Sequence, residues 1–148
     1  MDGAGVSGEI GYVYTFIISS MLLTAMTLIS TDMIDDSSRA SLRMMLRDMA
    51  NHIEEQIGAV ANQGLRFPDS TFERRVALQP AGFEFAYSID ATDHLLFVNS
   101  TYGGVRVLKP ISNPGDLRIS GGASSSAGMM IVKYLQVNGT GEVRIFVD

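Results

Sequence analysis

Cysteine is absent from this 148-residue chain, which excludes disulfide bonds and thiolate metal sites. Lysine and arginine are missing before Arg39, and proline is missing before Pro68. A cleavable secretory signal usually has a basic start and an apolar stretch of only ~7–15 residues, so the missing basic residues argue against one. The missing proline leaves the first part of the chain free to form one uninterrupted helix. Histidine is scarce: His52 and His94 stand far apart in sequence, and zinc ligation has no support. Positive charge is scarce as well. The net charge is −5; residues 1–63 hold eight acids against three arginines, and residues 64–148 balance eight against eight. That distribution lacks the basic stripe of a nucleic-acid binder, so no nucleic-acid partner is expected.

What the sequence does have is a greasy beginning. "GVSGEIGYVYTFIISSMLLTAMTLIST" occupies residues 5–31, and the 22 residues from Ile10 to Thr31 carry no charge. A helix of ~20 residues spans the ~30 Å hydrocarbon core of a bilayer, so this run is long enough to cross. It is also too long for a discarded signal, and a retained transmembrane helix is expected. At 100° per residue, Thr15, Ser19, Ser20, Thr24, Thr27, Ser30 and Thr31 fall in one half of the circumference. Ile17, Ile18, Met21, Leu22, Ala25, Leu28 and Ile29 fall in the other. Two readings of the polar half compete. Small polar residues let helices approach closely and hydrogen-bond in lipid, or they bond back to their own helix.

The next stretch, residues 32–64, continues the helical pattern. Leu42, Met45, Leu46, Met49, Ile53, Ile57 and Val60 recur at three- and four-residue steps and make one apolar stripe. Gly64 supplies a stop, and Pro68 forbids a prompt restart. Asp35 and Asp36 precede Arg39 at the spacing of helical ion pairs, and Arg39, Arg43 and Arg47 follow at four-residue steps as a solvated charged face. Met33 and Met44 point away from the main stripe and hint at a second contact face.

From residue 65 the character changes. "FEFAYSID" alternates Phe83, Phe85, Tyr87 and Ile89 against Glu84, Ala86, Ser88 and Asp90, the period of a half-buried strand. "FERRVAL", "HLLFVNS", "GVRVLK", "DLRIS", "MMIVKYLQV" and "EVRIFV" read as further strands, about seven in all. "QPAG", "NPGD" and "NGTG" are turns, and "SGGASSSAG" (120–128) reads as a flexible loop. Short strands at this spacing predict an antiparallel sandwich or a curled sheet. A β domain of this size has a limited core, so the stripe at 42–60 is expected to pack against it. The fold class is therefore α+β, a long amino-terminal helix packed on a carboxy-terminal antiparallel β-sandwich-like domain. Its divisions are a short leader at 1–5, the helix at 6–63 and a β-rich head at 64–148.

Nothing in this pattern points to catalysis. Asp32, Asp35 and Asp36 lack the loop spacing of known calcium sites, and "GGASSSAG" has no lysine to make it a phosphate loop. The serines lack a nucleophile-elbow context, so no enzyme and no cofactor are expected. Two N-x-S/T sequons, at Asn99 and Asn138, fall between predicted strands and offer glycosylation sites. Asn138-Gly139 is equally a favoured hairpin turn.

The residues "GVSGEIGYVYTF" resemble the start of archaeal type IV pilin-like proteins, in which a short leader precedes a motif close to Val-Ser-x-x-Ile-Gly. The matching residues here are Val6, Ser7, Ile10 and Gly11. The order of apolar helix, amphipathic continuation and β-rich head is similar to archaellins and archaeal adhesion pilins. The resemblance implies leader cleavage at Ala4, Gly5 and Val6, after Ala4 or Gly5. It gives Glu9 a role in assembly, because many pilins hold an acid there that meets a neighbouring subunit's terminal amine. A carboxylate at a membrane edge is costly unless paired or wet, which gives that role physical sense. Thr15, Ser19, Thr24 and Thr27 would join Glu9 in setting helix register. The implied protein is a structural filament subunit at the cell surface, self-associating through its helices and passing through the membrane before assembly. The alternative is a membrane-anchored accessory or binding module of the cell envelope that does not polymerise. The sequence departs from the family at the leader, which has no Lys or Arg. The arginines following the membrane run likewise do not favour an external head by charge.

Overall fold

In the computed structural model, the described residues are 3–78 and 85–147, with side chains described from residue 11 onward. One helix, α1, runs Gly3–Arg66. Seven strands follow: β1 Phe72–Ala77, β2 Tyr87–Thr92, β3 Leu95–Ser100, β4 Arg106–Pro110, β5 Arg118–Ser124, β6 Met129–Val137 and β7 Thr140–Val147. The chain divides into two compact units within α1, Met1–Ala40 and Ser41–Asp148.

The first unit is helix alone. Without proline, the backbone continues through the apolar run, and every described residue of this unit is exposed.

The second unit has two layers, the later part of α1 and one open sheet of order β1-β6-β7-β5-β2-β3-β4. The stripe predicted from periodicity is the helix's buried side: Leu42, Leu46, Ala50, Ile53, Ile57, Val60 and Ala61 join the core. Met45 and Met49 pack at its margin. From the sheet, alternate residues face them. Ile89 and Ala91 come from β2, Leu96 and Val98 from β3, Met130, Val132 and Tyr134 from β6, and Val143 and Ile145 from β7. The period of two that identified these strands is what places their apolar set on one face. The expected α+β, sandwich-like arrangement is present.

Four details differ from expectation. The sheet is mixed: β5 and β7 run parallel, Arg118 to Gly121 against Glu142 to Ile145, while the other neighbouring pairs are antiparallel. Strand periodicity carries no information on direction, so an all-antiparallel sheet was the default for short strands joined by turns. The stretch 120–128 is not simply a loop. Its first half belongs to β5, and Ser125–Ala127 makes one 3-10 turn whose cap is the Ser124 side chain. Gly121 and Gly122 suit this strand because a side chain there would meet the Ile145 carbonyl oxygen and the Ile89 carbonyl oxygen. The strand expected from residue 83 begins at Tyr87, and Phe83 lies outside the described residues. Phe85 instead stacks on Tyr102, with ring centres 4.1 Å apart.

The fourth concerns Gly64, which does not stop the helix. α1 continues to Arg66, and the glycine is where the helix meets the sheet. A Cβ on Gly64 would overlap the ring of Tyr134, which is buried in the middle of β6. On its other side the Tyr134 hydroxyl sits beside Gly141 of β7, 2.9 Å from where a Cβ would be. Two glycines thus make the slot for one tyrosine. Loop 111–117 is clipped as well. Asn113 accepts from the Leu117 amide at 3.0 Å and donates to the Leu117 carbonyl at 2.7 Å, and Glu54 of α1 accepts from the Ser112 amide at 3.3 Å.

Candidate assembly interface

The strongest functional surface is the helix of the first unit. Large apolar side chains from Tyr12 to Ile34 are exposed, with Met21 and Leu23 each at 69%. Its most apolar 18-residue window has a mean hydropathy of 1.8, and none of it is buried. By length and composition this is one helix able to cross a membrane. Patches far smaller than this are already unusual on soluble monomers.

The hydroxyls on this helix turn inward. Thr15 donates to the Gly11 carbonyl and Thr24 to the Ser20 carbonyl, each at 2.9 Å, and Thr27 donates to the Leu23 carbonyl. Ser30 and Thr31 do the same toward Met26 and Thr27. Back-bonding spends the proton of each hydroxyl and leaves its lone pairs facing outward. Such a hydroxyl accepts from a neighbouring helix freely but donates only by releasing its own carbonyl. Ser19 makes no hydrogen bond among the described residues; it lines a shallow notch with Tyr12, Thr15 and Phe16. Thr15 and Ser19 are thus brought side by side, one turn apart, while Thr24 and Thr27 lie further along the same helix. Glu9, Ala4, Gly5 and Val6 belong to the α1 backbone, and their side chains lie outside the described residues. Of the residues read as leader, positions 3–5 are already part of the helix, and positions 1 and 2 lie outside the described residues.

Asp35, Asp36 and Arg39, spaced as helical ion pairs are, form none among the described residues; they are exposed, as on a solvated face. Among the described residues, charged groups pair within 4 Å only at Glu73 with Arg75 and Lys133, and at Glu142 with Arg144. An exposed helical pair stabilises by only ~0.2–0.5 kcal/mol, too little to hold two long side chains together.

No family model matches the chain, and no curated protein or solved structure matches it.

On the second unit, the two sequons have different surroundings. Asn138 and Gly139 form the two-residue turn between β6 and β7, with φ of 52° and 80°, and Asn138 is exposed. That is the left-handed turn Asn-Gly favours. Asn99 lies within β3, flanked by β2 and β4. Its Oδ1 accepts from Arg106 Nε at 2.7 Å, and the Thr101 hydroxyl of the same sequon donates to the Ala86 carbonyl at 2.8 Å.

Sequence reading missed one polar cluster beside the Asn138 turn. Glu142 accepts from Arg144 Nε at 2.9 Å, from Arg144 Nη2 at 3.0 Å and from the Ser120 hydroxyl at 3.3 Å. The Arg144 hydrogen bonds hold the Glu142 carboxyl below its ordinary range, against the opposing effect of burial. With Arg118, Val137, Asn138 and Thr140 it bounds a shallow hollow. The signal available in sequence was the pair Glu142 and Arg144, two apart on one strand and so on one face.

Proposed function

We propose that this protein is a pilin-like structural subunit of an extracellular filament. Its amino-terminal helix packs with copies of itself, and its β head is exposed at the cell surface. The observation that carries this reading is the attachment of a wholly uncovered apolar helix to a unit whose own core is complete. Apolar burial among many helices would supply most of the cohesion. The resemblance of "GVSGEIGYVYTF" to pilin-type starts adds the direction of assembly and a role for Glu9 in pairing with a neighbour's amine. The subunit resides in the membrane before assembly, and a glycan, if attached, sits at Asn138.

One observation favours a second reading. Inward-bonded Thr15, Thr24 and Thr27 are what a lone helix in lipid needs. On that reading the chain anchors an accessory or binding module in the envelope and does not polymerise.

Two measurements on the native protein separate them. The filament reading expects an amino-terminal mass starting at Gly5 or Val6, and sedimentable filaments lost in Glu9→Ala. A chain that keeps residues upstream of Ala4 and stays in the detergent-soluble membrane fraction supports the anchored module instead.

A further inference from the structure

The hollow beside the β6–β7 turn lies wholly within the second unit, on the side of the sheet away from α1. Ile119, Val143 and Ile145 turn into the core, so their neighbours Arg118, Ser120, Glu142 and Arg144 turn outward. Arg118 stands opposite Glu142 on the parallel pair β5 and β7, and Val137 stands opposite Thr140 on β6 and β7. Asn138 completes the lining. The space is about 230 Å³. Pockets for drug-sized ligands run to ~300–1,000 Å³, so this one has room for a single ring-sized group.

The polar groups around it are only partly used. Glu142 is 7% exposed. An ionised carboxylate offers about four acceptor positions; Arg144 takes two and the Ser120 hydroxyl one, which leaves one for a ligand. Arg118 is exposed and makes no hydrogen bond and no ion pair within 4 Å among the described residues. Its guanidinium therefore keeps all its donors. The Asn138 amide and the Thr140 hydroxyl are exposed, and each both donates and accepts. Val137 adds an apolar wall. Two guanidiniums against one carboxylate leave a single net positive charge.

These groups discriminate among ligands. A sulfate-like anion has acceptors only and would set them against the Glu142 carboxylate. A neutral polyol satisfies the carboxylate and the hydroxyl but leaves the Arg118 charge unmatched. An ammonium-bearing ligand meets net positive charge, and the carboxylate it needs is already held by Arg144. A ring that carries several hydroxyls, one carboxylate and an apolar edge satisfies every group.

We propose that this hollow is a binding site for an acidic sugar of the uronate type. Its carboxylate pairs with the Arg118 guanidinium, a ring hydroxyl donates to Glu142, and other hydroxyls bond Asn138 and Thr140 while the apolar edge lies on Val137. The site goes beyond the filament reading and holds whether or not the chain polymerises. Two sources share this chemistry: a sugar within a glycan carried on Asn138 itself, and a saccharide met outside the chain.

The test is an NMR titration of the full chain, produced without glycan and held in a detergent that has no sugar headgroup. The probes are glucuronate, glucose and acetate. Glucuronate is expected to bind saturably in the millimolar range and to move the amide signals of Arg118, Asn138, Thr140 and Glu142. Glucose lacks the anion and acetate lacks the hydroxyls, so each should bind about tenfold more weakly or worse. Arg118→Gln should weaken glucuronate by a similar factor, and Arg118→Lys should recover part of the loss, because the charge returns without the planar fork. Thermal unfolding checks that both variants keep the fold. No saturable shift in the wild type, shifts confined to other residues, or undiminished binding by Arg118→Gln would each overturn the site. Acetate binding as tightly as glucuronate would overturn it too, leaving a simple anion contact. Glycopeptide mass spectrometry of the native protein then separates the sources. An acidic sugar on Asn138, with added glucuronate refused, assigns the hollow to the chain's own glycan. A bare Asn138 with glucuronate bound assigns it to a free saccharide.

Discussion

The slot between Gly64, Tyr134 and Gly141 permits a sharp comparison with Gly58, two turns earlier on the same helix. A Cβ on Gly64 overlaps the Tyr134 ring, whereas a Cβ on Gly58 meets nothing within 4 Å. Both positions are helical, so Gly→Ala gains the same intrinsic propensity, about 1 kcal/mol. At Gly58 that gain stands alone, and Gly58→Ala is expected to stabilise by up to about 1 kcal/mol. At Gly64 it is opposed by overpacking, typically about 1–3 kcal/mol, and relief by moving the ring is blocked. Tyr134 is only 2% exposed and its far end abuts Gly141. Gly64→Ala should therefore destabilise by about 1 kcal/mol net, and the two alanine variants should differ by about 2 kcal/mol. For a unit of this size that is a gap of roughly 8–16 °C in midpoint, measured by thermal unfolding of the full chain in detergent. A double-mutant cycle with Tyr134→Leu should show coupling of at least about 0.5 kcal/mol, because the smaller side chain relieves the overlap. Equal midpoints for the two alanine variants would refute the slot.

Two further outcomes follow from the second unit. Glu142 is held below its ordinary carboxyl value of 4.5, so its contribution to stability is present above that value. It is lost as pH falls through the lowered folded value, and Glu142→Gln should flatten this part of an acid unfolding curve relative to wild type. Mass spectrometry of the native protein should find any glycan on Asn138 and none on Asn99. Asn99→Gln should lower the unfolding midpoint by disturbing the Arg106 contact, and an occupied Asn99 would contradict that contact in the native state.

Periodicity made much of this fold legible. The three- and four-residue steps from Leu42 to Val60 identified the buried side of α1, and the strand alternations located all seven strands, although β2 begins four residues after its expected start and β5 ends four residues beyond "DLRIS". Direction and order were not legible, because side-chain alternation is the same for parallel and antiparallel neighbours. Gly64 was misread for a related reason: a glycine near a helix end signals termination or close approach, and only the partner, seventy residues later in Tyr134, decides. The double glycine at 121–122 had the same ambiguity and was read as flexibility where the structure uses it for crowding. Of the interface residues, the Ser/Thr half of the helix was visible, but its inward hydrogen bonds were equally compatible with the pattern. Phe85 shows the opposite failure. Its alternation with Tyr87 was regular, but stacking on Tyr102 takes it out of the strand.

The position of β7 governs when the head can exist at all. It follows every other strand in chain order, yet it sits between β6 and β5 in the middle of the sheet. Before it arrives, β1 and β6 form one ladder and β5, β2, β3 and β4 form another, each with a bare edge facing the other. During synthesis the greasy helix is made first and the joining strand last. Until β7 is made, the sheet order leaves β6 and β5 without the strand that lies between them. A nascent chain stalled before Thr140 would present two unpaired strand edges at once, which is the form most prone to aggregate with its own kind.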